Sequence, residues 1–112
     1  MHAEDRMRLR HMVDAAEHAM QFVAGRQRVD LENDRMLLFA LVRAIEVIGE
    51  AAGRVSDDTK AAYADVPWKA IIGMRNRLIH AYFDIDTETV WTTATAEIPA
   101  ILPKLRVLAA GE

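Results

Sequence analysis

Apolar residues recur at three- and four-residue steps through two long stretches of this chain, and that period fits an amphipathic helix rather than a strand. Between Glu4 and Ala24 the stripe is Leu9, Met12, Val13, Ala16, Ala19, Met20 and Val23, with Gly25 placed to end the helix. A second stripe of Leu38, Leu41, Ile45, Ile48 and Ala52 follows Asn33 and Asp34, either of which can cap a helix running to about Ala52. Only five glycines and three prolines punctuate the 112 residues, while Ala, Leu, Arg and Glu are plentiful, which favours long helices. An all-α fold is expected.

The remaining segments fit the same class. Arg26 to Asn33 is charged and aperiodic and reads as a connector. Ser56-Asp57-Asp58 opens a short helical turn through about Tyr63, and Asp65-Val66-Pro67 starts the next helix, since proline suits a first turn. Asp84 or Asp86 can cap a last helix through Val90, Trp91, Ala94, Ile98, Leu102, Leu105 and Leu108, bent or interrupted at Pro99 and Pro103. Gly49, Ala51, Ala52 and Gly53 are small enough to let another backbone come close. The expected architecture is a single domain, residues 1–112, built as an antiparallel bundle of four long helices plus one short one.

Several function classes fall away on composition. No window approaches the run of about 18 apolar residues that spans a bilayer, and His2, Glu4, Asp5 and Arg6 leave no apolar signal core, so a cytoplasmic location without membrane partners is expected. Without cysteine there are no disulfides, thiol nucleophiles or thiolate metal sites. A carboxylate-bridged metal centre needs Glu-x-x-His pairs on two helices, and the chain has none; His11 with Asp14 is a lone pair, and His18 lies one heptad from His11. Neither a metal nor a cofactor is expected. The net charge of −3 exerts no general attraction on nucleic acid, so contact with RNA must come from a local basic patch.

Chemistry concentrates in Arg75-Asn76-Arg77-Leu78-Ile79-His80-Ala81-Tyr82. Arg75 is a permanent cation suited to gripping a phosphate through two oxygens, and His80 titrates nearest neutrality. On one straight helix, residues five apart point about 140° away from each other, so Arg75 and His80 cannot meet one phosphate there. Either the helix ends near His80 or a second chain completes the site. Asn76 stands four residues before His80 and can orient the imidazole or contact a phosphate oxygen. The bland alternative is a helix C-terminus at which Arg77 and His80 complement the dipole and Tyr82 packs over the last turn. Arg43, Glu46 and Glu50 share one side of the second helix, where Arg43 and Glu46 are candidates to support the motif from behind or form a plain surface ion pair.

With these blocks in order, the chain resembles the HEPN superfamily, in particular the HepT-like ribonuclease toxins encoded beside minimal nucleotidyltransferases. Arg75-Asn76, His80 and Tyr82 reproduce that group's Arg-polar-x3-His-x-Tyr pattern, and the likeness extends to residues 43–52, Pro67-Trp68, Val90-Trp91 and Leu102-Pro103-Lys104-Leu105. The resemblance implies a helical bundle, a homodimer whose two motifs line one cleft, and endoribonuclease activity without a metal ion. It also implies a type VII-like toxin–antitoxin pair, in which a nucleotidyltransferase antitoxin transfers AMP to Tyr82. In that picture His80 moves protons while the 2′-hydroxyl of RNA attacks, Arg75 holds the charge on phosphorus and Asn76 orients. The rival is a non-catalytic module of the same fold that binds a nucleotide or protein through Arg75.

Overall fold

The structure is a computed structural model that describes residues 1–81 and 84–111; for residues 79–81 it describes the backbone alone. Helix α1 runs over Ala3–Val23, and Glu4 and Asp5 place negative charge at the positive end of its dipole. Its buried face is Asp5, Leu9, Met12, Ala15, Ala16 and Ala19. Gly25 then takes φ +73°, a left-handed conformation that glycine adopts without steric cost, and turns the chain.

The connector after Gly25 contains a single helical turn, α2 (Asp30–Asn33), which no periodicity announces. Two local features fix it: the Gln27 N–H donates to Asp30 Oδ2 at 2.8 Å, and Leu31 is buried. Asp34, rather than Asn33, caps α3 (Arg35–Arg54) by accepting from the Leu37 N–H at 3.1 Å. That bond, and the nearby Arg26 guanidinium at 2.7 Å, hold the Asp34 carboxyl below its ordinary range.

Helix α4 (Asp57–Ala62) is capped by Ser56 and docked by a buried carboxylate. Asp5 Oδ1 accepts from the Ser56 N–H at 2.9 Å, and Asp5 Oδ2 accepts from Ser56 Oγ at 2.6 Å and Thr59 Oγ1 at 2.7 Å. Burial alone would raise this carboxyl; the three hydrogen bonds, helped by the charge of His2, outweigh it and bring it down to about 2. The start of α1 is thereby fastened to the turn beyond α3.

Helix α5 (Trp68–Gly73) follows Pro67, and the Trp68 indole N–H donates to the Tyr63 carbonyl at 3.1 Å. The long fourth helix expected from the sequence stops here. After Gly73 the chain tightens into a 3₁₀ turn, Met74–Arg77, and then enters an antiparallel pair of short strands, β1 (Ile79–Ala81) and β2 (Asp84–Ile85). Glycine weakens the helix at residue 73, and the following Ile-His-Ala-Tyr-Phe run favours extended backbone.

Asp86 caps α6 (Thr87–Thr92), accepting from the Thr89 N–H at 3.0 Å. The helix continues through a wide π-helical stretch, Thr93–Glu97, into α7 (Ile98–Ala110). Pro99 accounts for the wide turn, because its ring would collide with the carbonyl of Thr95 in a regular α-helix. Pro103 sits within α7 without ending it. Leu9, Met12, Leu41, Ile45, Ile48, Ile71, Ile98, Leu102 and Leu105 form the centre of the core, where α1 packs against α3 and α7. The all-α expectation holds, with the strand pair as its one departure. Among the described residues no helix is long and apolar enough to cross a membrane.

Candidate functional site

The position of the motif is set by one close backbone approach. A Cβ built on Gly49 would lie 3.4 Å from the carbonyl oxygen of Ile72 and 3.5 Å from that of Ile71, so the small residue on α3 lets α5 settle against it. The 3₁₀ turn that follows α5 is carried to the same level of α3. There Arg75 Nη1 donates to Glu50 Oε2 at 3.4 Å, one residue beyond the glycine.

Glu50 has a second cation on its other oxygen. Arg43 Nη1 lies 3.7 Å from Glu50 Oε1 and 3.7 Å from Glu46 Oε1. Arg43 and Glu46, which the sequence offered as supports for the motif, therefore reach Arg75 only through Glu50. Arg75 is about half exposed, at 49%, and its one contact among the described residues, to Glu50, leaves its remaining N–H groups for a ligand. These pairs are solvated, so their worth lies in orientation more than in stability.

The next arginine in the turn goes the other way. Arg77 Nη2 donates to Glu97 Oε1 at 3.1 Å, fastening the turn to the π-helical stretch. Asn76 is exposed between the two. The backbone of His80 lies in β1, beyond the end of the helix, so the single-helix separation of 140° does not apply to this pair. Ile79 pairs with Ile85 and Ala81 with Asp84, which makes His80 the extra residue of a bulge in the strand pair. Tyr82 lies outside the described residues.

Two shallow depressions flank Glu50. One, of about 370 Å³, is lined by Gly49, Glu50, Gly53, Arg54, Ile72 and Arg75. The other, of about 240 Å³, brings Arg8 and Arg43 to the opposite side of Glu50 and Arg54. A longer apolar groove of about 450 Å³ continues between α1 and α3, with His11, His18, Phe22 and Arg43 among its walls. His18 stacks on Phe22 with ring centroids 6.2 Å apart in this groove, while His11 lines both the groove and the smaller depression beside Glu50. The sequence did not point to the contact of Glu50 with Arg75, nor to Arg54 beside it. The available signal was the stripe Arg43, Val47, Glu50 and Arg54, which repeats at helical spacing on one side of α3.

Comparison with known proteins places the chain in a family. Residues 12–108 match the family described as Ribonuclease HepT-like. The chain belongs to that family. It is 34% identical over 100 residues to "Probable ribonuclease HepT" of Thermococcus cleftensis, covering 89% of this chain and 91% of that one. It is 31% identical over 97 residues to "Putative RNase MJ1380" of Methanocaldococcus jannaschii, covering 87% and 89%. A further relative, "Putative RNase TTE0752" of Caldanaerobacter subterraneus, is 37% identical over 93 residues, 83% of each chain. No solved structure matches this chain. The HepT-like match bears out the resemblance to the HEPN superfamily read from the Arg75-to-Tyr82 motif and its flanking blocks.

Proposed function

We propose that this HepT-like chain is an endoribonuclease that cuts RNA without a metal ion. The observation that carries the reading is Arg75, a half-exposed guanidinium held by Glu50 on the turn that leads into His80. RNA supplies the nucleophile. The 2′-oxygen attacks the adjacent phosphorus, its proton passes to a His80 imidazole, the bond to the 5′-oxygen breaks, and that oxygen leaves with a proton from an acid. The products are a 2′,3′-cyclic phosphate and a 5′-hydroxyl. Arg75 bears the added negative charge at phosphorus, where loss of one fixed donor typically costs about 3–4 kcal/mol of transition-state stabilisation. Asn76 orients the imidazole or the phosphate.

Two copies make a complete cleft in this reading, since one His80 accepts the proton while the other donates. The groove between α1 and α3, continuous with the Glu50 cluster through Arg43, supports a surface for the second copy. Control falls to Tyr82: AMP transferred there by a nucleotidyltransferase antitoxin places a phosphate and a nucleoside two residues from His80, repelling and blocking substrate.

The deciding experiment incubates the purified chain with single-stranded RNA in EDTA. Expected are cyclic-phosphate ends, no cutting of a 2′-deoxy substrate, and loss of activity in His80→Ala and Arg75→Ala. Full activity in His80→Ala, or cleavage of all-DNA substrate, refutes the mechanism. Sedimentation that finds only a 12.6 kDa species at micromolar concentration removes the two-chain cleft. Intact mass after incubation with the antitoxin and ATP tests Tyr82, and an AMP adduct that persists in Tyr82→Phe would move the modification elsewhere.

A further inference from the structure

The depressions beside Glu50 hold more positive charge than the proposed cleavage step uses. Arg8, Arg43, Arg54 and Arg75 line them, against Glu50 as the only carboxylate among the described lining residues. Glu46 steadies Arg43 from the side and lines neither. A chain with a net charge of −3 thus concentrates four guanidiniums around one ridge of α3. Arg43 and Arg75 are both committed in part to Glu50. The Arg54 guanidinium has no hydrogen-bond or ion-pair partner among the described residues, and Arg8 stands beside it, donating from Nη1 to the Arg54 carbonyl at 3.3 Å.

We propose that the two depressions form a track for the RNA backbone, in which Arg54 grips a phosphate next to the one held by Arg75. Arg54 lines the larger depression with Gly49 and Gly53, and apart from the neighbouring residues and backbone of its own helix no described atom stands within 4 Å of a Cβ built on Gly53, so backbone and sugar have room between the two cations. A free guanidinium presents five donors in a plane and takes two phosphate oxygens at once. Arg8 adds a second cation on the far side of Arg54, extending the track toward the smaller depression. Glu50 divides the track, holding Arg75 in place while keeping the backbone from settling over both sides alike.

The inference rests on the ribonuclease reading, and the test separates the two. A 5′-labelled single-stranded RNA with 2′-O-methyl groups throughout cannot undergo 2′-hydroxyl attack, so its binding to the full chain is followed by fluorescence anisotropy. Between about 50 and 200 mM KCl, Arg54→Gln is expected to weaken binding about tenfold and to reduce the slope of log affinity against log salt by about 0.7, the loss of one single-strand phosphate contact. Arg54→Lys should recover most of the slope. Arg106→Gln, which removes the same charge from α7 away from both depressions, should leave binding, slope and cleavage of unmodified RNA unchanged.

Unchanged affinity and slope in Arg54→Gln overturn the track, whatever happens to its melting temperature; an arginine that serves only the dipole at the end of α3 gives that result. Equal losses in Arg54→Gln and Arg106→Gln overturn it too, by showing a response to total charge. If the parent cleaves RNA, Arg75→Ala does not, and Arg54→Gln behaves as the parent, the track alone falls. If the parent neither binds nor cleaves RNA, the ribonuclease reading falls with it.

Discussion

Replacing Asp5 by Asn tests the packing of the bundle independently of any catalytic role. Asn copies the shape of the protonated acid, so parent and variant differ in the charge and in its three hydrogen bonds to Ser56 and Thr59. A carboxyl brought from 3.8 to about 2 is worth about 2 kcal/mol at neutral pH, at roughly 1.4 kcal/mol for each tenfold change in proton affinity. For a domain of this size that corresponds to a fall in Tm of about 8 °C. Because the folded-state pKa lies below the unfolded one, the unfolded chain binds the extra proton, and the contribution is present above about pH 4 and lost as pH falls toward 2. Urea denaturation followed by circular dichroism should therefore show a gap of about 2 kcal/mol between parent and Asp5→Asn at pH 7 that closes by about pH 2. A gap under about 0.5 kcal/mol at pH 7, or one that persists unchanged at low pH, would refute the reasoning.

Three further outcomes are expected. Gly49→Val puts methyl groups where the Ile71 and Ile72 carbonyls already sit 3.4–3.5 Å from a bare Cβ, so it should cost about 1–3 kcal/mol in denaturant melts and, by shifting Arg75 from Glu50, reduce RNA cleavage. Thr93→Val removes a fully buried hydroxyl with no hydrogen-bond partner among the described residues; calorimetry should find stability unchanged or raised by up to about 1 kcal/mol, and a loss larger than that would reveal a partner. Glu50→Gln removes the carboxylate at the centre of four arginines, and anisotropy should record tighter RNA binding than the parent, with weaker binding counting against the phosphate track.

The parts legible in the sequence were those written in periodic burial and capping chemistry. The stripes of α1 and α3 fall where three- and four-residue spacing puts them, and Asp34, Ser56 and Asp86 cap the helices that their short polar side chains can cap. The single turn at Leu31 was not legible, because four residues hold no period. The end of α5 was missed for a different reason: the apolar residues of the motif suit a helix by spacing and a strand by type, and burial against α3 decided after Gly73. At the candidate site, residue type alone drew attention to Arg75 and Asn76. Glu50 was hidden because its most obvious neighbours are on its own helix, while its contact with Arg75 spans 25 positions and exists only once α5 has docked.

The docking of α5 on Gly49 and the pairing of Arg75 with Glu50 occupy adjacent positions on one turn of α3. Each added residue turns a helix by about 100°, so a single insertion in α3 upstream of Gly49 would swing both features off the same neighbour together. Length changes should accumulate in the connector between Gly25 and Asp34, and α3 itself should behave as a ruler whose residue count cannot drift.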